Sequence, residues 1–196
     1  MKITVIIPVG PGHDKYLDQA LRSVHKAWRT SQGPFSCIDV RWIDDLDGSM
    51  GRSAARNCGL EYESDFYFLF DADDEMMPLA FSCVETSHYA TFGAVMIRGA
   101  IWTENVWPLT RAKLFEHGAE GTLSMGLFLR GDVKTRFDES MDRGEDFDFY
   151  MRLPGFIKIR DALVSIGYGN PSAGGPRGYK KIDWLKICNE VIASHA

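Results

Sequence analysis

Three carboxylates, Asp71, Asp73 and Asp74, fall within four positions directly after the apolar run Phe66 to Phe70. Carboxylates at the end of a buried strand are costly to desolvate unless a positive group answers them. No Lys or Arg occurs between Asp65 and Arg98. The expectation is therefore a divalent cation, Mg²⁺ or Mn²⁺, that holds an anionic ligand at this acidic cluster through hard oxygen ligands. Such cations bind through one or two carboxylates plus the phosphates of a ligand. The competing reading is an acidic turn in which Asp74 caps the next helix and Pro78 occupies its first turn. That reading explains one aspartate and leaves two unexplained.

A second acidic cluster, Glu145-Asp146, follows Gly144 and opens a helical pattern stopped by Pro154; Phe149, Tyr150 and Leu153 share a face with Asp146. Acidic residues in a first turn complement the helix dipole. The same dipole is expected to keep Asp146 ionised, as a general base requires. Asp148 points to another side of the helix. A third pair, Asp44-Asp45, ends an apolar strand pattern, a position that turns also favour. Arg52 and Arg56 lie in a helical stretch beside Ala54 and Ala55, either as solvated face residues or as phosphate ligands. The histidines show no metal spacing, and Trp102 and Trp107 are either core residues or aromatic platforms for a sugar. Gly10-Pro11-Gly12 is too short for a dinucleotide fingerprint.

The elements that would position these groups alternate. Ile3 to Ile7 reads as a first strand stopped at Pro8, and Tyr16, Leu17, Ala20, Leu21 and Val24 recur at helical spacing. Ile38 to Ile43 is a second strand, Ser53 to Tyr62 a helix, and Phe66 to Phe70 a strand buried on both faces because polar alternation is absent. Strand, helix, strand, helix, strand with aspartates at strand ends indicates a doubly wound α/β sheet. Further on, Ala94 to Trp102 and Met125 to Leu129 read as single strands. Ile157 to Ile159 or Leu163 to Ile166 supplies a late strand. Residues 169 to 178 are rich in Gly and Pro and are expected to form a mobile loop, with Arg177 at its end, before an amphipathic helix over 179 to 194.

The 196 residues fit one domain with a substantial core, and 45% hydrophobic and 25% charged residues are ordinary globular values. A net charge of −5 argues against a broad electrostatic footprint for nucleic acid or anionic membrane. The four cysteines lack ligand spacing and are read as reduced thiols, which with the absence of a signal-peptide core predicts a soluble cytoplasmic protein. No apolar run approaches the ~18 residues of a membrane span.

In order and spacing these pieces resemble glycosyltransferase family 2, the inverting enzymes of the GT-A fold. The resemblance runs over residues 3 to 168. It rests on Val5-Ile-Ile-Pro8, Trp42-Ile-Asp44-Asp45, Gly51 to Leu60, Phe70-Asp71-Ala-Asp73-Asp74, and Gly144-Glu145-Asp146 through Leu153. It implies a Rossmann-like mixed sheet, mostly parallel and flanked by helices. Residues 1–100 would bind a nucleotide sugar, 101–168 would carry acceptor and catalytic groups, and 169–196 would be a mobile loop and terminal helix.

The resemblance implies a nucleoside-diphosphate-sugar donor bound by Pro8, Val9, Asp44, Asp45, Arg52, Arg56 and Asp71. It also implies Asp73, with Asp71, on the metal, Asp146 as base, and Glu145 orienting it or touching the acceptor. Arg177 is expected to pair with a phosphate as a lid closes. The acceptor hydroxyl is open: a saccharide, a protein side chain or a modified nucleic-acid base, with no fixed oligomeric state. A nucleotidyltransferase would need a basic Gly-rich loop after the first strand, and none lies between Pro8 and Lys15. A non-catalytic nucleotide-sugar-binding domain would lack the metal site or the base.

Overall fold

In the computed structural model, residues 1–97, 100–102, 109–110, 112–113, 125–166 and 181–195 are described. The elements are β1 (Lys2–Val9), α1 (Asp14–Thr30), β2 (Cys37–Asp44), α2 (Arg52–Gly59), β3 (Phe66–Leu69), β4 (Glu75–Met76) and a 3-10 turn (Ala80–Cys83). There follow β5 (Ala90–Ile97), β6 (Ala100–Trp102), β7 (Leu109–Thr110), β8 (Leu127–Arg130), α3 (Glu145–Arg152), β9 (Ile157–Ser165) and α4 (Lys181–Ser194).

All nine strands join one mixed sheet in the order β2-β1-β3-β8-β5-β9-β4, with β6 on β5 and β7 on β9. Among the described residues parallel pairing is confined to β1 with β2, β1 with β3, and β5 with β9. β8 runs antiparallel between β3 and β5. The first half is thus the expected α/β unit, and its three parallel strands end at one edge of the sheet.

The unbroken apolar run in β3 has a simple cause. Phe66, Phe68 and Phe70 enter the core on the α1 side, whereas Tyr67 and Leu69 enter the core on the side of α2, α3 and α4. Period-two geometry sends alternate side chains to opposite faces, and both faces are covered. On the α1 side the rings of Phe35, Phe66, Phe68, Phe81 and Phe128 pack edge-on or stacked, Phe68 and Phe128 with centroids 4.7 Å apart. The sheet curls far enough for β4 to reach α1, where the Met76 N–H donates to Ser23 Oγ at 3.0 Å. Helix α2 lies close on β1 because Gly59 has no side chain; a Cβ there would come within 2.3 Å of Ile6 Cγ2.

Three expectations change. The segment from Ala94 to Trp102 is not one strand: β5 and β6 pair antiparallel with Ile97 opposite Ala100. The two late-strand candidates are both parts of β9, whose register against β5 shifts between Phe92 and Val95 and so blurs its periodicity. No helix follows Asp74, because β4 begins at Glu75, which removes the helix-cap reading of the acidic turn. The terminal helix falls where expected, whereas the 169 to 178 segment, with Arg177, lies outside the described residues.

Candidate functional site

The carboxyl ends of β1, β2 and β3 come together through backbone bonding. The Asp45 N–H donates to Val9 O at 2.9 Å, and the Phe70 N–H donates to Ile6 O at 3.0 Å. Val9 is buried and Pro8 half-buried at the floor of this edge. The two aspartates after β2 divide their work. Asp45 is buried, and its two oxygens accept the N–H groups of Met50 and Gly51, each at 2.8 Å. It therefore shapes the 46–51 loop and sets the entry to α2. Asp44 is exposed at the edge. The loop leans back on the first turn, where a Cβ at Gly48 would meet Pro11 Cγ at 3.1 Å.

The acidic turn after β3 is not unanswered. Arg56, remote in sequence, reaches it from α2: Nη2 pairs with Asp71 Oδ1 at 2.9 Å. Its Nη1 pairs with Glu145 Oε1, at 3.4 Å, at the start of α3. The missing cation was absent from the local sequence and present in the fold. Arg56 is 6% exposed, so it is not the solvated face residue that helical position alone allows. Burial alone would lower its pKa. The charges of Asp71 and Glu145 more than reverse that effect and raise it, so it is cationic at all ordinary pH. Its neighbour Arg52 has a side chain 66% exposed and reaches Glu145 Oε1 at 3.4 Å. Of the two arginines expected on phosphate, Arg52 is the one open to solvent.

The guanidinium of Arg56 lies over the Phe137 ring, 5.3 Å from its centroid. Phe137 in turn stacks on Phe149 of α3 with centroids 4.1 Å apart and planes 7° from parallel. Asn57 fixes Phe137 from both sides of its backbone. The amide Nδ2 donates to Phe137 O at 3.0 Å, and Oδ1 accepts the Phe137 N–H at 2.8 Å.

At the start of α3, Gly144 has φ +73°, and a Cβ on it would approach Ile187 Cγ2 of α4 to 2.7 Å. Glu145 is buried and pairs with both Arg52 and Arg56. Asp146 is half-buried, and its Oδ1 accepts the Phe147 N–H at 2.7 Å. The helix dipole does not dominate its ionisation as expected. Burial, then the charge of Glu145, push its pKa up to about 6 against the opposing pull of Arg56 and the Phe147 N–H. Such a carboxylate is ionised at neutral pH yet much more basic than an ordinary aspartate. Tyr150 is buried, and its hydroxyl finds no hydrogen-bond partner among the described residues; burial first, then Asp146, raise its pKa well above the ordinary phenol value. Cys188 of α4 is buried, and burial with the charge of Asp146 pushes its thiol up to about 12.

Asp148 faces away, as its spacing predicts, but it is engaged. It takes Arg152 on Oδ2 and the His195 Nε2 on Oδ1 at 2.8 Å, tying α4 to α3.

Asp73 is half-buried beside Asp71 and has interactions of its own. Among the described residues no three His, Cys, Asp or Glu side chains converge into a self-sufficient metal cage. The donor set of Asp71 and Asp73 fits a Mg²⁺- or Mn²⁺-type ion that completes its shell with phosphate oxygens and water. All four cysteines are unpaired thiols, and no described helix is long and apolar enough to cross a membrane.

No protein-family model matches the chain, and no curated protein matches it by sequence. Solved structures do match. The whole chain superposes on residues of Staphylococcus aureus TarS (1–349, in complex with UDP-GlcNAc) with TM-score 0.66 at 16% identity, spanning 66% of that structure's length. Glucosyl-3-phosphoglycerate synthase from Mycobacterium tuberculosis, in complex with Mn²⁺, UDP-glucose and glycerol 3-phosphate, superposes over 98% of this chain and 78% of its own. Its TM-score is 0.48 at 14% identity. The chain has the GT-A fold. Sequence reasoning missed Asn57, Phe137 and His195. Asn57 and Phe137 carry no charge, and His195 finds its partner 47 positions away.

Proposed function

We propose that this chain is a glycosyltransferase that moves a sugar from a nucleoside-diphosphate sugar to an acceptor hydroxyl with inversion. One observation carries the reading. Arg56 holds Asp71, at the end of β3, and Glu145, at the start of α3, on one guanidinium, so Asp146 stands beside the edge where the parallel strands end. In open α/β sheets that edge is where ligands bind. The GT-A fold, shared with a structure that holds UDP-GlcNAc, supports a sugar nucleotide as the ligand.

In this reading Pro8, Val9 and exposed Asp44 face the nucleoside, Asp45 shapes the loop around it, and Arg52 reaches the diphosphate. Asp146 removes the proton from the acceptor hydroxyl. The oxygen attacks the sugar C1 from the face opposite the diphosphate, whose bond to C1 breaks as the new one forms. A divalent cation at Asp73 and Asp71 would supply Lewis-acid stabilisation of the departing diphosphate. A base with pKa near 6 keeps most of its population ionised at neutral pH while retaining driving force for proton transfer.

Thermal-shift screening of nucleoside-diphosphate sugars with and without Mn²⁺, followed by turnover assays and NMR of the product anomer, tests this. Metal-dependent protection by a sugar nucleotide and an inverted product are expected. No shift and no turnover across the common UDP-, GDP-, dTDP- and ADP-activated sugars would sink it; a retained anomer would remove Asp146 from its role.

A further inference from the structure

Arg56 and its seat form a unit that the reaction as described does not use. The guanidinium is buried, bonds carboxylates from two elements 74 positions apart in sequence (145 minus 71), and lies on the Phe137 ring. Phe137 is gripped at both its N–H and its C=O by Asn57, the residue next to Arg56, and its ring stacks on Phe149 inside α3. One wall of this seat therefore belongs to α2 and the other to the helix that carries Asp146. Phe149 is three positions after Asp146, within one helical turn.

We propose that Arg56 is a positioning residue: seated on the Phe137 platform, it sets the distance between the donor-side carboxylate Asp71 and the Glu145-Asp146 start of α3. This rests on the transferase reading above and deepens it. It assigns Arg56 to the interior instead of to a donor phosphate, and it brings Asn57 and Phe137 into the working site.

The chemistry favours arginine for this. A planar guanidinium can bond two carboxylates along separate N–H directions while stacking on an aromatic face. Lysine keeps the charge but concentrates it on one compact ammonium that lacks the planar fork. The unit also accounts for the fused geometry. A rigid stack of Arg56, Phe137 and Phe149 transmits the position of α2 to α3 through contacts that compress little. Displacements of about 1 Å at a reacting centre cost on the order of 10²-fold in rate.

The test compares wild type with Arg56→Lys, Phe137→Leu and Asn57→Ala, adding Arg56→Met/Glu145→Gln so that no buried carboxylate is left unpaired. Steady-state transfer gives kcat and donor KM, calorimetry gives nucleoside-diphosphate affinity, and hydrogen exchange follows the Asp148 amide, whose N–H donates to Gly144 O at 2.8 Å in the first turn of α3. Arg56→Lys is expected to lower kcat by about 10- to 100-fold with donor KM and affinity within about threefold, and to speed exchange at Asp148. Phe137→Leu and Asn57→Ala should shift both readouts in the same direction and by less. Effects of Arg56→Met and Glu145→Gln on kcat should be strongly non-additive.

A rise in donor KM and loss of diphosphate affinity at constant kcat would overturn the proposal, because Arg56 would then be a phosphate ligand. A lowered melting temperature with unchanged kcat and unchanged exchange would overturn it as well, leaving a structural role only. If the wild type neither binds nor turns over any sugar nucleotide, the transferase reading fails on its own. Exchange at Asp148 then still decides whether Arg56 holds α3, and equal rates in wild type and Arg56→Lys would end the proposal.

Discussion

The strand edge of β1, β2 and β3 and the first turn of α3 both present aspartates, yet they are built on opposite terms. At the strand edge the pair after β2 is served by nearby backbone and water, Asp45 taking two N–H groups five and six positions away and Asp44 facing solvent, and Asp71 after β3 shares the remote Arg56. At α3 the charges are concentrated, half-buried or buried, and balanced by an arginine 89 positions distant from Glu145. The first arrangement suits recognition, where a carboxylate needs fixed geometry. The second raises the basicity of one group, and that is what proton abstraction needs. The contrast teaches that the acidic motifs of this chain are not interchangeable, although they look alike in sequence.

The largest expected effect breaks the comparison at its chemical side. Asp146→Asn should reduce transfer by the ~10²–10⁴-fold typical of losing a general base while nucleoside-diphosphate affinity stays within about twofold. Equal losses in affinity and rate would place Asp146 among the binding groups and erase the distinction.

Next in size is Asp73→Asn, expected to weaken Mn²⁺-dependent donor binding by about tenfold or more with the fold intact. Calorimetry with and without Mn²⁺ reads it, and an unchanged metal dependence would remove the cation from the β3 edge. Asp45→Ala should act on stability instead, costing roughly 2–4 kcal/mol for two charge-assisted bonds to backbone N–H groups, measured by urea unfolding. If it altered donor affinity with stability unchanged, Asp45 would be a ligand and not a loop anchor.

The pH dependence sharpens the same contrast. Transfer should fall about tenfold per unit below pH 6 and flatten above it, tracking the ionisation of Asp146. Stability runs the other way. A carboxyl whose pKa is raised by folding favours the folded state while protonated, and that stabilisation is lost as pH rises from about 4 through 6. Asp146→Asn should therefore melt higher than wild type above pH 6, and the gap should close near pH 4. A gap that persists at pH 4 would mean the gain has another source. The smallest effect is expected from His195→Ala, about 1 kcal/mol or less at neutral pH, because Asp148 keeps Arg152.

The sequence made the strand-edge half readable because its signals are local. β1, β2 and β3 announce themselves by β-branched and aromatic runs, and their aspartates sit at the ends of those runs. The α3 half was readable as a helix start but not as an electrostatic unit. Arg56, Glu145 and Asp71 meet only through the tertiary fold, and reading Asp71 without Arg56 overstated how urgently the turn after β3 needs a metal. The dipole argument for Asp146 failed for a related reason. A first-turn carboxylate in water is favoured by about 0.3–1 kcal/mol, a term that burial beside Glu145 outweighs. The β5–β6 reversal was legible but passed over: Arg98-Gly99 interrupts the apolar stretch between Ile97 and Ala100, the two residues that pair across the reversal.

The seat of α4 on Gly144, with Cys188 and Val191 in the same core as Phe147, Phe149 and Tyr150, has a consequence in time. The helix that carries Asp146 is enclosed by a segment made some thirty-five positions later, and its counter-charge comes from a segment made ninety positions earlier. Closing loops of that span costs entropy before their contacts repay it. The parallel strands can assemble first, so a chain caught part-way through folding would have its strand edge formed while Asp146 still stands in water. Its carboxyl would then titrate as an ordinary aspartate near pH 4. In that order of assembly the raised basicity of Asp146 would come only with the enclosure of α3.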